Sequence, residues 1–166
     1  MRAGIAFGSN LGDRLLYLRQ ARACVVASSL LAPPVLVSSV YLTSPVECPP
    51  DSDHFLNAVI EAELTGDPVA LLRDLQALEK GLGRSAGTRR NAPRTIDLDL
   101  LYAGDCELES NGIVLPHPGV AERRFVLSPL AEIRPGLILP GQTETVAQLL
   151  KKLPPGDTVE ALDARW

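Results

Sequence analysis

From His54 to Leu64 the chain alternates without a break. Leu56, Ala58, Ile60, Ala62 and Leu64 fall on one face of an extended segment, and Phe55, Asn57, Val59, Glu61 and Glu63 fall on the other. Just beyond, Asp67-Pro68 reads as a helix start, with aspartate as N-cap and proline at the first helical position. Leu71, Leu72, Leu75, Leu78 and Leu82 then recur at helical spacing. A period that switches from 2 to about 3.6 across so short a turn demands a helix folded back onto a sheet.

The same switch occurs upstream. Ala3 to Gly8 reads as a strand, about Gly12 to Ser29 as a helix with Leu15, Leu18, Ala21, Val25 and Val26 on one face, and Val35 to Thr43 as a β-branched strand. Downstream, Thr95 to Tyr102 is a further strand with Ile96, Leu98, Leu100 and Tyr102 on one face. The order β-α-β-β-α-β is the split βαβ pattern of ferredoxin-like folds: an α+β class with a mostly antiparallel sheet and helices packed on it. A short strand near Ile113–Leu115, one or two small helices and a C-terminal tail are expected beyond it. The prolines of Pro33-Pro34, Pro49-Pro50, Pro116-x-Pro118 and Pro154-Pro155 read as loop punctuation. No linker divides the chain, so residues 1–166 are expected to form one domain.

This topology predicts where chemistry can sit. Both helices of a split βαβ unit cover one face of the sheet, and the apolar strand faces point at them. The opposite face is left with Phe55 and Asn57 from one strand and Asp97 and Asp99 from another, all on one side.

From Lys80 to Ile96 the chain carries Lys80, Arg84, Arg89, Arg90 and Arg94 and no acid, although Lys+Arg 16 against Asp+Glu 20 makes the whole chain acidic. A guanidinium is a planar fork that matches phosphate oxygens, so an arginine-rich, glycine-dotted loop suits a polyphosphate; a solvated basic loop is the plainer reading. The balance tips at Asp97 and Asp99, which lie at i and i+2 of a strand with Cα atoms roughly 6.5–7 Å apart. Carboxylates that close repel unless a cation lies beside them, and Mg²⁺ is commonly held by one or two carboxylates plus substrate phosphates. Gly81-x-Gly83-x-x-Ala86 fits a dinucleotide fingerprint formally but follows a helix, and no P-loop is present.

His117, between Pro116 and Pro118 and followed by Arg123 and Arg124, could donate to a phosphate, though a lone loop histidine is more often merely exposed. Phe55 beside Asn57 suits a flat heterocycle with a polar edge. Gln76 and Glu79 read as surface positions. A net charge of −4 and only 4% aromatic residues argue against a nucleic-acid partner. No apolar run is long enough to span a bilayer, so no membrane partner is expected. Cys24, Cys48 and Cys106 are scattered and odd in number, which points to a reducing cytoplasm. Nothing marks an oligomer, and a monomer is the working expectation.

Taken in order, these motifs resemble the 6-hydroxymethyl-7,8-dihydropterin pyrophosphokinases of folate biosynthesis. The resemblance runs from Gly8-Ser9-Asn10-Leu11-Gly12-Asp13 to about Pro135. It includes Tyr41-x-Thr43-x-Pro45, Phe55-Leu56-Asn57-Ala58, Gln76-x-x-Glu79, Gly83-Arg84, Arg90-x-x-Pro93-Arg94-x-Ile96-Asp97-Leu98-Asp99-Leu100, Pro116-His117-Pro118 and Arg123-x-Phe125-Val126-Leu127. It implies a ferredoxin-like fold and transfer of the β,γ-diphosphate of ATP to the pterin hydroxymethyl group, with release of AMP and use of two Mg²⁺ ions. By the resemblance, Asp97 and Asp99 are the metal ligands, and Arg84 and Arg94 neutralise charge on the transferred group. Gln76, Arg90, His117 and Arg123 serve ATP. Phe55 and Phe125 sandwich the pterin, Asn57 bonds its polar edge, and Thr43, Pro45 and Val46 complete the pocket. Glu47, Ala86 and Asn91 depart from residues found in other members (glycine, arginine and tryptophan respectively). Two rivals are a nucleotide-sensing domain without chemistry and, ranked last, an RNA-binding sheet.

Overall fold

The alternating segments become strands of one antiparallel sheet, and the leucine stripes become the helices that cover it. The computed structural model describes residues 1–45, 52–83, 94–110, 112–155 and 158–166. In chain order the elements are β1 (Arg2–Ser9), α1 (Arg14–Val26), β2 (Leu31–Val37), β3 (Val40–Thr43), β4 (Phe55–Leu64), α2 (Pro68–Gly81), β5 (Asp97–Ala103), β6 (Leu108–Ser110), β7 (Ile113–Leu115), α3 (Arg124–Ile133), α4 (Val146–Lys152) and β8 (Val159–Leu162). The main sheet runs β5-β1-β4-β3-β8, with β2 also on β4, and β6 and β7 form a separate hairpin. Without β8, β6 and β7, this is the ferredoxin-like order expected from the sequence.

Asp13 and Asp67 start the two long helices by accepting backbone N–H bonds, from Leu16 in α1 and from Val69 and Ala70 in α2. Leu18, Ala21 and Val25 of α1 and Leu71 and Leu75 of α2 bury against Ile5, Phe7, Leu56, Ala58, Ile60, Leu98 and Leu100. The apolar strand face therefore points at these helices, as alternation predicts. The helix read from Gly12 to Ser29 is shorter at both ends, and Val26 is exposed because it lies about 100° around the helix from Val25.

The opposite face is not left bare. Val59, Leu101 and Tyr102 pack there under Val126, Leu127 and Leu130 of α3, with Val146 of α4 behind. Tyr102 corrects the sequence expectation, which placed it with Leu98 and Leu100. A register shift on β5 carries the pairing from Ile5↔Leu100 to Gly4↔Tyr102, so Leu101 is the extra residue and Tyr102 turns to the α3 side. Its hydroxyl then donates to the fully buried Glu61, whose carboxylate also receives Arg2 Nε at 2.8 Å and faces Arg134 Nε at 3.5 Å.

Two other expectations change. The strand read from Val35 to Thr43 breaks at Ser38-Ser39 into β2 and β3, because Ser38 turns to bond Val59 through both its N–H and its Oγ. Pro33-Pro34 lies inside β2 instead of a loop; the strand is an edge there and bulges between Ala32 and Leu36, where missing N–H donors cost nothing. The tail is a strand, β8, paired along β3, and Trp166 returns to the core beside Phe7.

Candidate active site

The alternating small residues of β1 shape one end of the α3-side face. Gly8 pairs with Asp97 on one side and Asn57 on the other, and Asn57 in turn pairs with Tyr41. The row Asp97–Gly8–Asn57–Tyr41 thus crosses four strands on one face, with no side chain at its second position. A Cβ at Gly8 would stand 2.9 Å from Asn57 Oδ1, 3.8 Å from Asp97 Cβ and 4.0 Å from Phe55 Cδ1. The next row, Asp99–Ala6–Val59, is where the apolar packing under α3 begins. Phe55, Asn57, Asp97 and Asp99 therefore share a face, as the alternation requires.

Asp97 takes Arg94 Nη1 at 2.8 Å, and His117 Nε2 lies 3.7 Å from Asp99 Oδ1. Burial, and then the neighbouring Asp97 carboxylate, push the Asp99 carboxyl above its ordinary range, while His117, Arg123 and Arg94 pull it back. His117, Arg123 and Arg94, three of the basic residues singled out in the sequence, therefore lie close enough to act on Asp99. His117 is tethered to β5 through its N–H to Leu101 O at 2.8 Å, and Arg123 folds over Gly119, with Cζ 5.8 Å from the centre of the Phe125 ring. On the other side of Gly8, Asn57 Nδ2 donates to Thr43 Oγ1 at 2.6 Å; both residues are buried. Pro45 follows Thr43 and is half-buried.

Several supports were not marked as functional by the sequence. Asn10, 1% exposed, exchanges two bonds with Arg94: its Oδ1 accepts from Arg94 N at 2.9 Å and its own N donates to Arg94 O at 3.2 Å. Ser9 Oγ donates to Thr95 O, and Thr95 Oγ1 donates to Leu82 O at 3.1 Å. Glu79, read as surface, is buried; its Oε1 accepts from Leu98 N at 2.8 Å, between the two aspartates. The Gly8-Ser9-Asn10 motif was visible, but which backbone groups needed partners was not.

Gln76 is exposed on α2, one turn before Glu79, and no polar contact joins it to the aspartates among the described residues. Arg84, Arg90 and Val46, and with them Glu47, Ala86 and Asn91, lie outside the described residues. Among the described residues no group of three or more His, Cys, Asp or Glu side chains is placed to hold a metal. No helix there is long and apolar enough to cross a membrane.

Residues 4–135 match the family described as 7,8-dihydro-6-hydroxymethylpterin-pyrophosphokinase. A Bacillus subtilis 2-amino-4-hydroxy-6-hydroxymethyldihydropteridine pyrophosphokinase is 44% identical over 131 residues, 79% of this chain and 77% of that one. A Methylorubrum extorquens protein of the same name is 38% identical over 154 residues, 93% of this chain and 94% of the relative. Among solved structures, the wild-type HPPK-DHPS protein of Plasmodium falciparum with pteroate aligns with a TM-score of 0.70 at 13% identity. That alignment covers 91% of this chain but only 42% of the larger one, and it shows the fold alone. The chain belongs to the 7,8-dihydro-6-hydroxymethylpterin-pyrophosphokinase family, which moves the pyrophosphoryl group of ATP to hydroxymethyldihydropterin in folate biosynthesis.

Proposed function

We propose that this transfer takes place over the Gly8 hollow, with the nucleotide's phosphates on the β5 side and the pterin on the β3 side. The carrying observation is the row Asp97–Gly8–Asn57, in which a missing side chain separates a carboxylate from an amide across two strand spacings, about 9–10 Å. In the reaction the pterin hydroxymethyl oxygen bonds to the β-phosphorus. The bond from that phosphorus to the oxygen bridging it to the α-phosphorus breaks, and AMP leaves with the bridging oxygen. The hydroxyl proton is released.

Asp97 and Asp99 suit Mg²⁺. Two hard carboxylates share one face, burial and then the Asp97 charge hold Asp99 above its ordinary range, and a two-carboxylate set leaves positions for phosphate and water oxygens. Two ions are part of the proposal. Bound there, Mg²⁺ would supply charge neutralisation for the polyphosphate and for the developing negative charge.

The chain's own groups do the positioning. Arg94, held through its backbone by Asn10, places a guanidinium beside Asp97 and in reach of phosphate oxygens. His117 and Arg123 bring donors to Asp99 from the segment that precedes α3. Phe55 and Phe125 are the faces for the pterin ring, Asn57 reads its polar edge, and Thr43 holds the Asn57 amide in one orientation. Arg84, Arg90, Gln76, Pro45 and Val46 keep the roles that the family resemblance gives them.

Residues 1–166 acting as one domain is part of the same reading, supported by the sheet that joins Arg2–Ser9 to Val159–Leu162. A cytoplasmic setting is supported by the free thiols of Cys24 and Cys106.

The test is turnover in chelator with Mg²⁺ added back, for the parent chain and for Asp97→Ala and Asp99→Ala. Chelation should abolish turnover and Mg²⁺ restore it. Each variant should lose about a thousandfold or more in kcat while keeping its circular dichroism and unfolding midpoint. Near-normal Mg²⁺-dependent turnover in either variant would sink the metal assignment. Saturable ATP binding with no AMP formed by the parent chain would favour the sensing rival.

A further inference from the structure

Residues 158–166 lie beyond the stretch 4–135 that matches the family, yet they are built against the proposed pterin wall. β3 is only four residues long, and β4 pairs with one of its sides, bringing Tyr41 to Asn57 and Thr43 to Phe55. β8 takes the other side, with Val40 to Thr43 pairing with Leu162 to Val159. The ladder continues past β3: Ser44 N donates to Thr158 O at 3.1 Å, and Thr158 N donates back to Ser44 Oγ at 3.2 Å. That step lies next to Pro45.

The other end of the same segment is fastened at the start of β3. Trp166 is 6% exposed and donates from Nε1 to Ser38 O at 2.8 Å. Its ring meets Phe7 edge-on at 5.1 Å, and Arg22 Cζ sits 5.1 Å from its centre. Arg19 holds Arg165 O through Nε at 3.0 Å and Nη2 at 2.6 Å. β3 is thus clamped at Ser38 and at Ser44 by one strap, and Thr43 lies between the clamps.

We propose that the Thr158–Trp166 strap is a positioning element for the pterin side of the site, holding Thr43 so that its Oγ1 keeps the Asn57 amide turned toward substrate. The inference rests on the pterin assignment of Asn57 and Thr43 made above. Its selectivity follows from the sheet order. The aspartates stand on β5, three strand spacings or about 14 Å from β3, and among the described residues the strap's hydrogen bonds and ring contacts go to β3, Ser38, Ser44, Phe7, Arg19 and Arg22. Loosening the strap should therefore weaken pterin binding and leave the nucleotide alone.

The experiment compares Trp166→Ala, Thr158→Pro and Asn57→Ala by steady-state kinetics in each substrate. Thr158→Pro removes the N–H that Ser44 Oγ receives without touching the core, and it decides the matter if Trp166→Ala does not fold. In both strap variants the pterin KM should rise about tenfold, a change of about 1.4 kcal/mol, with kcat and the ATP KM within about twofold. An unchanged pterin KM, or equal rises in both KM values, overturns the inference. Asn57→Ala separates the two layers. If it raises the pterin KM while the strap variants do not, only the strap inference fails. If it leaves the pterin KM unchanged, the pocket assignment fails and the inference falls with it.

Discussion

Gly8 stands opposite both Asp97 and Asn57, and a methyl group there would come within 2.9 Å of Asn57 Oδ1. Asn57 is buried and bonded to Thr43, so it cannot swing clear without giving up that bond. Gly8→Ala should therefore raise the pterin KM about tenfold, with the fold intact by circular dichroism. An unaltered pterin KM would show that the hollow is not where the ring lies. At this scale the sequence was readable wherever side chains alternate. Phe55, Asn57, Asp97 and Asp99 were placed on one face by period alone, and they share it. Gly8 escaped because a glycine contributes nothing to a hydrophobic pattern, although Gly4, Ala6 and Gly8 together form a small-residue stripe that could have been read. Asn10 and Glu79 escaped for another reason. Each satisfies a particular backbone group, at Arg94 and Leu98, and no spacing rule says which backbone groups a fold leaves needing a partner.

Among the elements, β5 departs from simple alternation where its bulge at Leu101 turns Tyr102 to the α3 side. Gly4 makes that turn possible: a Cβ there would lie 2.3 Å from Tyr102 Cε1 and 2.7 Å from Cζ. The ring is 1% exposed and its hydroxyl is engaged by Glu61, so it has no room to retreat. Gly4→Ala should cost about 3 kcal/mol of stability in a urea titration, and a loss too small to measure would contradict this packing. A bulge cannot be read from residue types that are apolar on both sides of it, as Leu100, Leu101 and Tyr102 are. The break between β2 and β3 was hidden because Ser38-Ser39 is only a weak turn signal and the turn depends on bonds to Val59 and Glu132. The two helix starts were legible because aspartate caps act locally.

Across the whole molecule, α3 is tied to the sheet by polar contacts at several points. Glu132 accepts from Ser39 and from Tyr41 Oη at 3.0 Å, while Arg134 faces Glu61. Burial, with help from Glu132, pushes the Tyr41 hydroxyl up to about 12, and burial with Glu61 raises Tyr102 further. Both groups keep their protons in the folded chain after the unfolded chain has lost them. Their contribution is therefore complete below about pH 10, the ordinary tyrosine value, and is lost as pH rises through the folded values. Unfolding midpoints should fall from about pH 10 upward, and Tyr41→Phe should flatten part of that fall; an identical pH profile in the variant would remove Tyr41 from this account. The course of the chain from β1 to β5 was legible as a β-α-β-β-α-β order, but β8 was not, because a short strand with little alternation is recruited only by the open edge of β3. The proposed chemistry is transfer of a diphosphate from ATP to a reduced pterin over one face of this sheet. It is tested most directly by identifying the products formed from MgATP and 6-hydroxymethyl-7,8-dihydropterin. AMP and the pterin diphosphate should form, and only when both substrates and Mg²⁺ are present; ADP as the nucleotide product would rule out diphosphate transfer.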